Sequence, residues 1–433
     1  MSASLLPADS IAAHRSRELL AERLCSPEPA GTAPAAAGTA PARILAEYVL
    51  GRRSGELDVS GRASDGQFIS AEVVADLPRD IVLIDDSQGL QARVLGALAT
   101  VRTYNDRIDD ARVVKAAAPD ADAVADLGDL AADAEEDVAQ TWAIVNAPKA
   151  VNALAEVVAH IQPHVSTLIV IGRSDAMSRA VNKELARGFA RVDVSPGVGK
   201  HRMIIGSRPL SSPSLPSFPK HGVIDHPATG PLQVRAHGAC FSGVKSDEGS
   251  AFLLDALTAD SADRPSPPRS VLDLGCGNGW LLTATMHLTQ AARGVGVDVS
   301  RAAVASARDT AEVNGVDVDI VLADAALDTA LADTALADTA AAGAALAAVV
   351  PGGGSFDLVL LNPPFHQGTA IETDTAAALM RTAARRLAPG GRVLTVFNSH
   401  LRYRERLEKL IGPSLQIGRN RKFTVVESRL SEV

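Results

Sequence analysis

Short, almost wholly apolar runs recur along the chain, separated by longer stretches in which Ala and Leu return at helical spacing. The runs at 81–84 (Ile-Val-Leu-Ile) and 168–171 (Leu-Ile-Val-Ile) predict buried strands in the first half. In the second half the same reading predicts strands at 271–274, 294–297, 320–322, 358–361 and 393–397. Helices are predicted at 281–290, 302–311 and 376–387. A strand that is apolar at consecutive positions is covered on both faces, and the intervening helices supply the covers. The pattern predicts an α/β fold with a mainly parallel sheet in each half.

The breaks in this pattern set the expected domains. Residues 1–43 include a stretch of low complexity at 26–41, rich in Ala, Pro, Gly and Thr, and read as a flexible leader. Residues 208–231 hold six prolines, which remove backbone donors and fix φ. A linker without regular structure is expected over 208–234, between units at 44–207 and 235–433. A second irregularity lies at about 325–354. Thirteen of the 24 residues at 325–348 are Ala, and Leu-Ala-Asp-Thr-Ala occurs twice at 331–340. Ala favours helix, so this reads as an expanded helix without chemistry of its own.

Composition narrows the location. The 433 residues contain no apolar run of 18 or more, so no membrane-spanning helix is expected. The first residues lack the basic start and apolar stretch of a signal peptide. Cys25, Cys240 and Cys276 form no Cys-x-x-Cys pair, which argues against structural zinc and for a cytoplasmic protein without metal. The net charge of -9 would argue against a nucleic-acid partner, but it is unevenly spread. Residues 105–137 hold eleven acids and three bases, whereas 381–422 hold eleven Lys/Arg and two acids. A chain that is acidic in sum thus offers a basic segment, whose alternative reading is a solvated surface.

The densest chemistry begins at Val271-Leu272-Asp273-Leu274-Gly275-Cys276-Gly277-Asn278-Gly279-Trp280. A buried strand enters a glycine-rich turn and then a helix, a geometry that lets a nucleotide-like ligand approach the backbone closely. A dinucleotide fingerprint would place its third glycine at 280, where this chain has Trp280. Asp298, 23 residues past Gly275, ends the next strand and suits the two hydroxyls of a ribose; a helix cap is the competing role. Asp324, closing a third strand, is placed to accept from an adenine amino group. After the strand at 358–361 comes Asn362-Pro363-Pro364-Phe365. The Asn362 side chain and the Pro363 carbonyl can each accept one N–H of an amine conjugated to a ring. That holds the nitrogen and favours localising its lone pair. Pro363 fixes the geometry, and Phe365 can stack on a flat substrate.

These residues carry a resemblance. The glycine pattern at 275, 277 and 279 resembles motif I of the class I S-adenosylmethionine-dependent methyltransferases. Asn362-Pro363-Pro364-Phe365-His366-Gln367-Gly368 resembles the signature of the methyltransferase small group, which includes the bacterial ribosomal RNA guanine-N2 methyltransferases. Phe241-Ser242 and Asp247-x-Gly249-Ser250 resemble the family's stretch before motif I, although Gly243 stands where the family commonly has Arg. The tail from Asn398 to Val426 is similar to the end of the large-subunit (23S) enzymes of that group. So are Glu47-Tyr48-Val49-Leu50, residues 82–89 and Ala147-Pro148-Lys149.

The resemblance implies two tandem Rossmann-like methyltransferase domains, the N-terminal one degenerate and the C-terminal one catalytic. After the strand at 81–84 the first copy has Asp85-Asp86-Ser87-Gln88-Gly89, with a single glycine, and Ala147-Pro148-Lys149 stands where the catalytic loop would be. The resemblance implies S-adenosylmethionine held by Asp273, Gly275, Gly277, Asn278, Gly279, Asp298, Val299, Asp324 and Asn362. It implies catalysis at Asn362, Pro363, Pro364 and Phe365. RNA contacts are expected at His366, Arg402, Arg404, Arg419, Arg421 and Lys422. The expected substrate is ribosomal RNA or a ribosomal subunit, with 23S ahead of 16S, and the expected state is a monomer. Competing readings are methylation of DNA adenine or protein glutamine, and a non-catalytic RNA-binding assembly factor.

Overall fold

The computed structural model describes residues 78–430 apart from 97–98, 133–137, 196, 198–199, 262–265, 328–355 and 364–369. The expected leader, nearly all of the Ala-rich segment, and Pro364, Phe365 and His366 lie outside the described residues. Two compact units divide the chain between Ser217 and Phe218.

In the first unit the strands are β1 (Asp80–Ile84), β2 (Thr100–Tyr104), β3 (Asp122–Ala123), β4 (Thr141–Asn146), β5 (Thr167–Arg173), β6 (Phe189–Val194) and β7 (His201–Pro209). They form one sheet in the order β3-β2-β1-β4-β5-β7-β6. All pairings are parallel except those of β7, which runs antiparallel to β5 and β6. Successive residues of β1 enter opposite cores: Ile81 and Leu83 pack on one face, Val82 and Ile84 on the other. That is why the run is continuously apolar.

The second unit opens with a hairpin of β8 (Lys220–His226) and β9 (Gly230–Ala236). Its sheet is built from β10 (Ser270–Leu274), β11 (Arg293–Asp298), β12 (Asp319–Leu322), β13 (Phe356–Leu361), β14 (Leu387–Asn398), β15 (Ser414–Arg419) and β16 (Phe423–Ser428). The order is β12-β11-β10-β13-β14-β16-β15, the same as in the first unit, again with only the penultimate strand reversed. The chain therefore repeats one Rossmann-like methyltransferase topology. Here too the faces alternate, with Leu358 and Leu360 on one side and Val359 and Leu361 on the other.

The proline-rich stretch corrects one expectation, because the hairpin lies largely within it. Pro219 precedes β8, Pro227 sits in the turn, and Pro231 pairs with Asp225 next to that turn. Prolines at strand ends cost few ladder bonds. The free edge of β9 is covered by the helix Arg301–Val313 and the residue that ends it. Thr310 Oγ1 accepts from the Arg235 amide (3.0 Å) and donates to its carbonyl (3.2 Å). The Asn314 side chain does the same for Gln233, at 3.0 and 2.7 Å, and Ser306 Oγ accepts from the His237 amide at 2.9 Å. Polar side chains at i, i+4 and i+8 thus stand in for a neighbouring strand.

Candidate active site

The sheet order of the second unit reverses direction between β10 and β13, and the carboxyl ends of the strands around that point form the usual ligand crevice of such folds. Gly275 follows β10, Asp298 ends β11, Asp324 follows β12 and Asn362 follows β13. The four positions expected from the sequence are therefore brought to one edge of one sheet.

The glycines divide by role. Gly275 and Gly277 have φ of 84° and 53°, and a Cβ added to either would meet nothing within 4 Å. That open space is what a closely approaching ligand requires. Gly279 also has positive φ (75°), but its added Cβ would lie 2.7 Å from the Ala307 Cα. A glycine is needed there so that the loop can pack on the helix Arg301–Val313. Asn278 pins the loop: its Nδ2 donates to the Gly243 carbonyl at 2.8 Å, and its Oδ1 accepts from the Trp280 amide at 3.1 Å, opening the helix Trp280–Thr289.

Asp298 accepts from the Gly277 amide and from the Ser300 amide, both at 3.0 Å. The carboxylate expected to meet a ribose thus also fastens the glycine loop to the second strand. The cap of the following helix is Ser300, whose Oγ accepts from the Ala303 amide at 3.1 Å. Val299, half-buried, lies between the two. Asp324 Oδ1 accepts from the Ala326 amide at 2.9 Å and closes the 3-10 turn Ala325–Leu327.

Asp273 differs from these. It is 2% exposed, and its Oδ2 has no hydrogen-bond partner among the described residues. Burial, helped by the Asp298 charge, pushes its pKa up from 3.8 to about 7. Burial likewise pushes the neighbouring Cys276 thiol well above its ordinary value. A buried orphan carboxylate beside two glycines that face open space fits a ligand carrying both a cationic group and a nucleotide-like body. S-adenosylmethionine has that chemistry.

At the end of β13, Asn362 Nδ2 donates to Asp247 Oδ2 (2.8 Å) and to Ser250 Oγ (2.9 Å), while its Oδ1 is buried without a partner among the described residues. Sequence reasoning gave Asp247 and Ser250 no role. The signal was present in Asp-x-Gly-Ser, which reads as a helix cap: Asp247 Oδ2 accepts from the Ser250 amide at 2.9 Å at the head of Glu248–Ser261.

The first unit shows why its copy lacks this chemistry. Its β1–β4 register, Ile84 against Val145, matches Leu274 against Leu361 in the second, so Asn146 occupies the place of Asn362. An Asn therefore stands there, directly before the Ala147-Pro148-Lys149 that takes the place of the catalytic loop. Its Oδ1 accepts from Gln91 Nε2 (2.6 Å), and its Nδ2 donates to Gln91 Oε1 and the Ile84 carbonyl. Asp85 replaces the first glycine, and Leu83 stands where the second unit has Asp273.

The basic residues Arg402, Arg404, Arg419, Arg421 and Lys422 are exposed. Two of them already have acidic partners. Arg404 Nε lies 3.1 Å from Glu408, and Lys422 pairs with Glu248. Among the described residues no cluster of three or more His, Cys, Asp or Glu could hold a metal, and no helix is long and apolar enough to cross a membrane.

The chain is similar to known proteins. The model of the methyltransferase small domain matches residues 231–338 and 328–427. The ribosomal RNA large subunit methyltransferase G of Shewanella amazonensis is 30% identical over 297 residues, 66% of this chain and 68% of that protein. Its counterpart from Streptomyces coelicolor is 32% identical over 296 residues, 66% of this chain and 71% of that protein. The solved 16S ribosomal RNA guanine-N2 methyltransferase of T. thermophilus, in complex with S-adenosylmethionine and guanosine, is 23% identical with a TM-score of 0.64, covering 81% of this chain and 88% of that one. It shares the fold. The repeated strand order, the open glycine loop beside a buried carboxylate, the Asn at the end of β13 and the extent of these matches lead to one assignment: the chain belongs to the methyltransferase small family of class I S-adenosylmethionine-dependent methyltransferases.

Proposed function

We propose that this enzyme methylates the exocyclic N2 amino group of a guanine in ribosomal RNA, with 23S RNA as the target. The two large-subunit relatives, each at least 30% identical over about two thirds of both chains, support the RNA and the subunit. The observation that carries the chemistry is the buried Oδ1 of Asn362 at the end of β13, which has no hydrogen-bond partner among the described residues. The guanine amino nitrogen is a poor nucleophile because its lone pair is delocalised into the ring. An acceptor at Oδ1 and a second at the Pro363 carbonyl take its two hydrogens and turn the lone pair out of conjugation.

Residues 275–279 and Asp298 hold the cofactor's nucleoside part, Asp324 its adenine, and Asp273 its cationic amino-acid end. The bound cofactor supplies a sulfonium methyl as the electrophile. Once methylated, the nitrogen is acidic and sheds its proton without a strong base. Phe365 stacks on the guanine, worth about 1–3 kcal/mol by analogy with other base–aromatic stacks. A paired guanine must first leave its stack, at a cost of a few kcal/mol. Arg402, Arg419 and Arg421, with His366, Arg404 and Lys422, hold the RNA backbone. The first unit supports RNA docking, and the enzyme acts as a monomer.

The test is transfer from labelled S-adenosylmethionine to purified 16S and 23S RNA, free and assembled, followed by nucleoside analysis. The expected product is N2-methylguanosine in 23S RNA. Label in 16S RNA alone overturns the choice of subunit, and methylated adenine overturns the mechanism.

A further inference from the structure

We infer that Asp247, Gly249 and Ser250 form a clamp that fixes which end of the Asn362 amide faces the substrate; the inference rests on the amine-methylating role of Asn362. An Asn side chain is nearly symmetric in shape, and turning it over exchanges an acceptor for two donors. Only one orientation can receive an amino group. With the amide reversed, its N–H groups would oppose those of the guanine.

Three observations show how the choice is made. Both Nδ2 hydrogens are engaged, one by the Asp247 carboxylate and one by Ser250 Oγ. A carboxylate only accepts, so it selects the nitrogen and rejects the oxygen. The carboxylate is itself held, since its Oδ2 also caps the helix Glu248–Ser261 through the Ser250 amide. Gly249 lies against the amide: a Cβ there would stand 3.1 Å from Asp247 Oδ2 and 3.3 Å from Asn362 Oδ1. A side chain at 249 would press on the very groups being aligned. This accounts for every named position of Asp247-x-Gly249-Ser250.

The chain carries its own contrast. Asn146 in the first unit has both ends of its amide bonded to Gln91 and so presents no bare acceptor. Asn362 has its donors consumed and its acceptor left over. Asp247 and Ser250 are positioning residues, because they act on the substrate only through Asn362.

The test uses the full-length enzyme and its RNA. Asp247→Asn can set either end of its own amide at the point where Oδ2 both caps the helix and meets Asn362, so the nitrogen of Asn362 is no longer selected over its oxygen. We expect kcat to fall about tenfold or more, with KM for RNA and cofactor affinity within about threefold. Asn362→Asp places two carboxylates together and should be less active still. Combining Asn362→Asp with Asp247→Asn restores a donor facing an acceptor and should raise kcat about tenfold over Asn362→Asp alone. A residue that merely caps a helix would give no such rescue. In parallel, proton exchange of the 15N-labelled Asn362 side-chain amide should be slow in the wild type and faster in Asp247→Asn, with no substrate present. Wild-type kcat in Asp247→Asn, or a double variant no better than Asn362→Asp, overturns the clamp. Wild-type enzyme that methylates no amino group in RNA, with the exchange difference intact, overturns the functional reading instead.

Discussion

Cofactor affinity should depend on pH through Asp273. Its carboxyl is fully enclosed at the end of β10, and burial, followed by the Asp298 charge, raises its pKa from 3.8 to about 7. A shift of about three units corresponds to about 4 kcal/mol opposing the ionised form in the empty protein. A cationic group brought alongside needs that form. At pH 6 only about one molecule in ten has the carboxylate ready, so apparent affinity should weaken about tenfold for each pH unit below 7 and level off above about 8. The assay is calorimetric titration of S-adenosylmethionine between pH 5.5 and 8.5. Asp273→Asn should flatten the profile and, at pH 8, weaken binding by the worth of a charge-assisted hydrogen bond, about 1.5–3 kcal/mol. A wild-type profile flat between pH 6 and 8, or an unchanged slope in Asp273→Asn, would refute the reasoning.

Four other outcomes are expected. Asn362→Ala should lower kcat by about two orders of magnitude or more while cofactor affinity stays within a few-fold, seen by single-turnover transfer and calorimetry. Gly277→Val should abolish cofactor binding because its side chain enters the open space, whereas Gly279→Ala should act on stability, by about 1–3 kcal/mol in denaturant titration, because it strikes Ala307. Reversing the charge of Arg402, Arg419 and Arg421 should reduce the salt dependence of RNA binding by about 0.7–0.9 for each phosphate that is no longer neutralised and leave cofactor affinity unchanged; an unchanged slope makes them ordinary surface. In the cofactor-free protein, burial raises Asp85 and Asp273 to about 7 and Asp110 to about 6. The folded chain holds these protons where the unfolded chain has released them, so their contribution is complete below about pH 4 and lost as pH rises through 6 and 7. Thermal scans should give a lower Tm at pH 8 than at pH 5.5, with the difference reduced in Asp273→Asn.

Much of the catalytic unit was legible because its strands are buried on both faces. The apolar run at 271–274 became β10 with one added residue, and the helix expected at 302–311 lies within Arg301–Val313. The strands that escaped are those whose pattern other forces disguise. β16 is buried along its whole length yet contains Glu427, which is admissible because Arg392 in β14 pairs with it at 3.0 Å and also meets Asp260. β15 alternates weakly and ends in Arg419, so residues 414–419 read only as part of the basic segment and not as a strand. Within the site, the glycine loop, Asp298 and Asn362 were visible as local motifs. The bonds from Asn362 to Asp247 and Ser250 span 115 and 112 residues, and no local pattern announces a contact that only the closed sheet creates.

The side chains of Ser306, Thr310 and Asn314 on the edge of β9 have a consequence for how the catalytic unit opens. The amides of Gln233, Arg235 and His237 are bonded to a helix and its end, not to another strand. They cannot exchange with solvent while that helix is docked, however freely β8 and β9 separate from each other. Their exchange rates therefore measure detachment of the helix, which begins three residues after Asp298. The hairpin and the carboxyl end of β11 thus belong to one cooperative unit of local unfolding, and anything that steadies Asp298 also slows exchange at the far edge of β9.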